Sequence, residues 1–406
     1  MSDKQGCALE DVKVLDFSWS IVGPLTTKCL ATYGATVVKV ESKERIDIAR
    51  TYYPMADNKP GIDRCGWFDL YATGKHSIGL NLNKPQGIEL AKKLVTWADV
   101  VVETFTGGTM ERWGLAYPDM VKINPDIIMI GMSLFGQSGP LMRQSGFGLQ
   151  MQAYAGFTHL VGWPDRPPTG NSCPYTDYIA PWYGIVAILG ALDYRRRTGK
   201  GQYIDLSQFE AGVTFLAPAI LEYTANNRVM SPIGNRSNYA APHGAYRCQG
   251  DDRWCAITVS SDEEWEALCR VMGKPELTKD PKFATLQARK ENEDELDRLI
   301  ERWTINQPEE QVMLKLQEAG VPAGFLKDAR DLLRDPQLKH RQHYVELDHP
   351  EIGVHSYEQP TCRLSKTPAE IRRSPLFCEH NEYIYTGILG LSDEEFVELL
   401  VSGVLE

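Results

Sequence analysis

Residues 12–41 read V-K-V-L-D-F-S-W-S-I-V-G-P-L-T-T-K-C-L-A-T-Y-G-A-T-V-V-K-V-E, and the change of rhythm within them decides the fold. The apolar run 12–17 predicts a short strand, 23–34 a helix closed by Gly34, and 35–41 a second strand. Two strands joined by a crossover helix imply a parallel sheet. The alternation continues with S-I-G-L-N-L (77–82), a helix from Gly87 to Ala98, D-V-V-V-E-T-F (99–105) and D-I-I-M-I-G-M-S (126–133). A long apolar helix is expected over 182–194, closed by Arg195, Arg196, Arg197 and Gly199 as helix ends prefer, followed by the strand Q-Y-I-D-L-S (202–207). The first strand-to-helix turn, F-S-W-S-I-V-G-P, lacks the glycine fingerprint of a dinucleotide site.

At 406 residues the chain exceeds the size of a single core, so two domains are expected. The turn-rich stretch N-N-R-V-M-S-P-I-G-N-R-S-N-Y (226–239) marks the boundary. The reading is therefore an α/β chain with a large domain over 1–224, a small α+β domain over 225–335, and a segment 336–406 that returns to short strands and a final helix over 391–401. Ser392 and Glu395 fit a capping box for that helix. No 18-residue apolar run suggests a membrane span, and M-S-D-K-Q-G-C-A-L-E-D shows no secretory signal. Nine cysteines without a C-x-x-C pair read as reduced cytoplasmic thiols rather than a zinc site, and the eight histidines show no ligand spacing. A net charge of -11 repels nucleic acid in general while leaving room for a local basic patch that holds a phosphate.

The stretch C-P-Y-T-D-Y-I-A-P-W-Y-G (173–184) sets one acid, Asp177, among four aromatic rings. An aspartate just before a helix is commonly a cap, although Pro181 makes an early helix start awkward. A poorly hydrated carboxylate kept ionised by a helix dipole also suits a nucleophile. Spacing leaves both readings open.

The string R-R-R-T-G-K-G-Q-Y-I-D-L-S-Q-F-E (195–210) resembles the signature of the family III CoA-transferases, the group that includes formyl-CoA and carnitine CoA-transferases. Further segments follow in the family's order: V-K-V-L-D-F, G-A-T-V-V-K-V-E, T-G-K-H-S-I (73–78), A-D-V-V-V-E-T-F, M-E-R-W-G-L (110–115), I-N-P-D-I-I (123–128), F-G-Q-S-G-P (135–140), G-N-R (234–236) and S-P-L-F-C-E-H (374–380). The resemblance covers essentially the whole chain. It implies a Rossmann-like large domain built from both chain ends, a smaller α+β domain, and an interlocked dimer, either a homodimer or a heteromer with a homologous subunit.

It also implies chemistry. Asp177 stands at the family's nucleophile, which passes through an aspartyl anhydride and an aspartyl-CoA thioester. Coenzyme A and acyl-CoA are then substrates, with no tightly bound cofactor and no metal. Lys75 and Arg112 stand at positions that contact CoA, Phe105 at a stacking position, and Lys39 and Lys43 where the second strand ends near it. Tyr175, Tyr178, Trp182 and Tyr183 are expected to wall the site against water. The chain departs from the pattern at E-T-F-T (103–106), at Cys378 where glycine is common, and at S-S-D (260–262), where formyl-CoA transferases carry a glycine run. Formate and oxalate are thereby disfavoured as substrates.

The related α-methylacyl-CoA racemases need an H-D motif after F-G-Q-x-G-P. Here G-F-G-L (146–149) puts Phe147 at the histidine position. A non-catalytic subunit is the other alternative, against which Asp177 argues. The segments G-F-G-L-Q, T-H-L-V-G-W-P-D-R-P-P-T-G (158–170) and Y-T-D-Y-I-A-P (175–181) resemble the branch using succinyl-CoA. They point towards benzylsuccinate, of anaerobic toluene breakdown, as acceptor, with Arg143 or Arg236 taking its second carboxylate.

Overall fold

The computed structural model describes residues 6–170 and 172–406. The first five residues, read above for a targeting segment, lie outside them. Six strands, β1 (Lys13–Asp16), β2 (Thr36–Glu41), β3 (His76–Gly79), β4 (Val100–Glu103), β5 (Ile128–Gly131) and β6 (Tyr203–Asp205), form one sheet in the order 3-2-1-4-5-6. Every pairing is parallel, with Val14 opposite both Val37 and Val100.

Such a sheet is covered on both faces, which explains the near-continuous apolar runs. One face carries Leu15, Val38, Ile78 and Val101 against Leu90, Ala91, Leu94 and Val95 of helix Pro85–Trp97, joined by Ile384, Tyr385, Val404 and Leu405 from the end of the chain. The other face carries Val14, Val37, Val100, Ile128 and Ile130. Val22, Leu30 and Ala31 of helix Val22–Thr32 and Ile179, Ala180, Ile188 and Ala191 of helix Tyr175–Thr198 cover it.

Contacts separate the chain into two compact units. One gathers the chain up to Thr158, Gly170–Met230 and His340–Glu406, and includes the six-stranded sheet. The other comprises His159–Thr169 and Ser231–Lys339. The segment 159–169, which the sequence reading put in the large domain, falls in the smaller unit. There the ring of Trp163 packs on Gly234, where a Cβ would come within 2.5 Å of it. The smaller unit has an antiparallel sheet of β7 (His243–Arg247), β8 (Trp254–Thr258) and β9 (Ala323–Phe325), packed on Trp265, Leu268, Leu296, Ile300, Val312 and Leu316. In the tail, β10 (Tyr344–His349) and β11 (Gly353–Glu358) form a hairpin, and Ser392 and Glu395 make a capping box before helix Asp393–Val401.

The helix expected over 182–194 begins earlier, at Tyr175, and runs through Pro181 to Thr198. Pro181 has no N–H, so the carbonyl of Asp177 loses its helical donor while the rest of the turn persists. No helix among the described residues is long and apolar enough to cross a membrane.

Candidate active site

The strand order reverses between β1 and β4, and the loops after their carboxyl ends stand where open parallel sheets generally take ligands. The loop after β1 is fixed from beneath by buried charges. Asp16 accepts from Lys75 Nζ at 3.0 Å, Thr27 Oγ1 at 2.6 Å and the Ser18 amide at 2.9 Å. Lys75 also donates to the Pro24 carbonyl at 2.9 Å. Lys39 Nζ donates to the Ser18 carbonyl at 2.8 Å and pairs with Asp47 at 3.1 Å. Burial works against the ionised form of Asp16, yet Lys75 and Lys39, helped by Ser18 and Thr27, hold its carboxyl below the usual range. Burial pushes Lys75 down to about 8, against the pull of Asp16.

This frame presents Trp19. Its ring meets Phe105, in the loop after β4, edge-on at 6.1 Å, and its amide donates to Thr104 Oγ1 at 2.9 Å. Thr104, a departure from the family pattern, thus joins the two loops. Arg45 lies over the Trp19 ring at 4.9 Å, and Trp113 meets Phe105 edge-on at 5.4 Å. Ser20, next to Trp19, holds a left-handed φ of 64°, an uncommon conformation for a residue with a side chain.

Asp177 sits in the first turn of helix Tyr175–Thr198, 7% exposed. It is not the cap, a position taken by Pro174. Its stripe of the helix is the buried one: Ala180, Pro181 and Gly184 follow at one-turn spacing, and Gly184 faces Met132 of the strand edge. Its carboxylate lies against Gly148, first residue of helix Gly148–Tyr154, where a Cβ would stand 2.3 Å from Oδ2. Only a residue without a side chain leaves that space. Burial, with no cation or side-chain hydrogen bond among the described residues opposing it, pushes Asp177 up to about 7. The poor hydration expected of this carboxylate thus outweighs the pull of the helix dipole, and its ionisation moves into the neutral range. Its neighbour Tyr178 shares a short hydroxyl contact with buried Tyr71.

A protein-family model described as CoA-transferase family III matches residues 9–381. The chain belongs to CoA-transferase family III. This CoA-transferase is 35% identical to a succinyl-CoA--D-citramalate CoA-transferase of Chloroflexus aurantiacus, with 98% of each chain covered. It is 31% identical to a formyl-CoA:oxalate CoA-transferase of Streptomyces coelicolor, covering 98% of this chain and 99% of that one. Among solved structures it resembles a CAIB/BAIF family protein from Brucella suis with a TM-score of 0.86 and 31% identity, covering 94% of this chain and all of the other.

Within this CoA-transferase the site residues named from the sequence fall into three groups. Asp177 is buried and unpaired by any described cation. Phe105 is half-buried in the ring cluster, while Arg112 and Lys43 are exposed at the same sheet edge, Arg112 donating to Thr109 at 3.1 Å. Lys39 and Lys75 depart from expectation. Both are buried with their amines committed, so they shape the β1 loop and present no free charge to a phosphate. The aromatic walls also divide. At about 100° per residue, Trp182 and Tyr183 point roughly 140° and 240° around the helix from Asp177. They are 54% and 44% exposed rather than packed about the carboxylate. Tyr175 packs on Phe157, leaving Tyr178, with Tyr71, beside the acid. Sequence reasoning missed Trp19, Tyr71 and Gly148, whose roles come from contacts across the fold. The G-F-G run at 146–148 was the one available hint for Gly148.

Proposed function

We propose that this family III CoA-transferase moves CoA from succinyl-CoA to a carboxylic acid acceptor, with Asp177 as the covalent carrier. The observation that carries the reading is a buried carboxylate with no counter-ion among the described residues, held against a glycine. Its anion is poorly solvated and therefore nucleophilic. One carboxylate oxygen attacks the thioester carbonyl, the C–S bond breaks, and an aspartyl–succinyl anhydride and CoA thiolate result. The thiolate attacks the aspartyl carbonyl, expelling succinate and leaving an aspartyl-CoA thioester. The acceptor carboxylate then attacks that thioester, and the thiolate returns to the acceptor's carbonyl, freeing Asp177. Each step conserves the acyl activation, provided water stays out.

Trp19 and Phe105 offer the adenine a pair of rings, and Arg112, Lys43 and Arg45 offer cations to the phosphates. The acceptor we infer is a dicarboxylate, since relatives are named for citramalate, malate and glutarate. Benzylsuccinate is the specific candidate, supported by the sequence branch and by the Tyr71 and Tyr178 rings beside Asp177. Exposed Arg143 is the cation for its second carboxylate, because Arg236 is already held by Glu293 and Asp294. Proton transfer at an α-carbon finds less support. Phe147 and Gly148 carry no base, and a side chain at 148 would collide with Asp177.

A second copy of the chain, or a homologous subunit, is the partner we infer for Trp182, Tyr183, Val186 and Leu189, exposed apolar groups on one long helix. Two relatives are named as the alpha and beta subunits of a succinyl-CoA--L-malate CoA-transferase. Light scattering of the purified chain tests this, and a stable monomer counts against a homodimer.

The deciding experiment is the mass of the Asp177 peptide after succinyl-CoA and hydroxylamine or borohydride trapping. Modification of wild type and none of Asp177→Asn is expected. No modification with any acyl-CoA tried would refute the carrier role. A panel of benzylsuccinate, citramalate, malate, glutarate and carnitine then ranks the acceptors.

A further inference from the structure

Glu103, at the carboxyl end of β4, is a buried acid that the transfer chemistry leaves unused. Its two oxygens have separate tasks. Oε2 accepts the Phe105 amide at 2.7 Å, and Oε1 accepts Nε2 of Gln137 at 3.0 Å. That same Nε2 donates to the Phe105 carbonyl at 3.0 Å, so Phe105 is held at both its N–H and its C=O. Gln137 is fixed in turn, since its amide donates to Asp205 at 2.9 Å. The F-G-Q-S-G-P and Q-Y-I-D-L-S motifs, 60-odd residues apart, therefore meet at Gln137, and it is Gln137 that reaches Phe105. Room for the acid comes from Gly131, where a Cβ would stand 2.5 Å from Glu103 Oε1 and 2.8 Å from the Tyr203 hydroxyl.

Burying a carboxyl is unfavourable, and a structural role alone would be filled as well by an apolar side chain. Here burial pushes Glu103 up to about 8, only partly relieved by the Phe105 amide, with Glu111 and Asp205 adding to the rise. What the acid supplies is geometry at one half-buried ring. We propose that Glu103 and Gln137 are positioning residues for the acyl-CoA crevice, clamping the Phe105 peptide so that its ring stays in place against Trp19 and Trp113. This rests on the reading of Phe105 as a CoA contact.

The test compares Glu103→Gln, Gln137→Ala and Phe105→Ala for CoA affinity by calorimetry and for KM and kcat with succinyl-CoA. At position 103 glutamine offers one acceptor to two donors, so one arm of the clamp is lost. The expected result is a weakening of CoA binding and a rise in KM of about tenfold in each clamp variant, with kcat at saturation within about threefold, since ground-state binding alone is removed. Folded clamp variants that bind CoA as wild type does, while Phe105→Ala binds weakly, overturn the clamp and leave the Phe105 contact standing. Wild-type affinity in Phe105→Ala overturns both. Equal falls in kcat with unchanged KM also overturn the proposal. Gln137→Ala keeps the test decisive should Glu103→Gln fail to fold.

Discussion

Asp16 and Asp177 are buried aspartates of one compact unit, and the fold treats them in opposite ways. Around Asp16 stand Lys75, Lys39, Ser18 and Thr27, and its carboxyl is held low. Asp177 is given only a glycine's empty space, and its carboxyl rises to about 7. The surroundings, not the residue type, make one acid a brace and give the other the environment that the proposed carrier role needs.

The contrast can be broken most severely at Asp177. Asp177→Ala is expected to lower turnover at least about a thousandfold, because the covalent carrier is gone, with little loss of thermal stability; stopped-time assays and calorimetry check both. The opposite outcome is expected at the brace. Lys75→Met leaves Asp16 charged and short of its partner, at a cost of about 3–5 kcal/mol in denaturant unfolding. Next comes Gly148→Ala. A methyl in the carboxylate's place should cut kcat by about ten- to a hundredfold while shifting the melting temperature little, since misplacement by about an ångström is enough.

Acidity gives the finest comparison. Asp177 has a carboxyl raised to about 7, so under the proposed mechanism it is protonated and unreactive below that value and ionises to the attacking form as pH rises through it. The rate of adduct formation from succinyl-CoA should thus fall about tenfold per pH unit below 7 and level off above it. A flat profile from pH 5 to 8 would place the reactive acid elsewhere.

The sheet was legible because a strand buried on both faces is mostly apolar, as V-V-K-V-E and D-V-V-V-E are apart from Lys39 and their acids. Asp177 was legible through family resemblance, whereas its environment was not. Pro181 read as a barrier to an early helix start, yet a proline in the seventh position of the helix removes only one bond. Lys39 was expected near the end of the second strand and Lys75 at a family CoA position, but sequence does not tell whether such a lysine turns outward to a ligand or inward to an aspartate. Trp19 drew no notice because its neighbours Phe105 and Arg45 are distant in the chain or on another loop.

Gly148 bears on how such a protein can change over generations. A carboxylate at 177 and a side chain at 148 compete for one volume, so the two positions are not free to vary independently. A lineage gaining an acid or a base at 148 passes through a form whose carboxylate at 177 is displaced, unless residue 177 or its backbone moves first. Divergence to another chemistry on this scaffold therefore requires paired substitutions, and a mutational scan of position 148 alone should find a narrow, nearly closed gate.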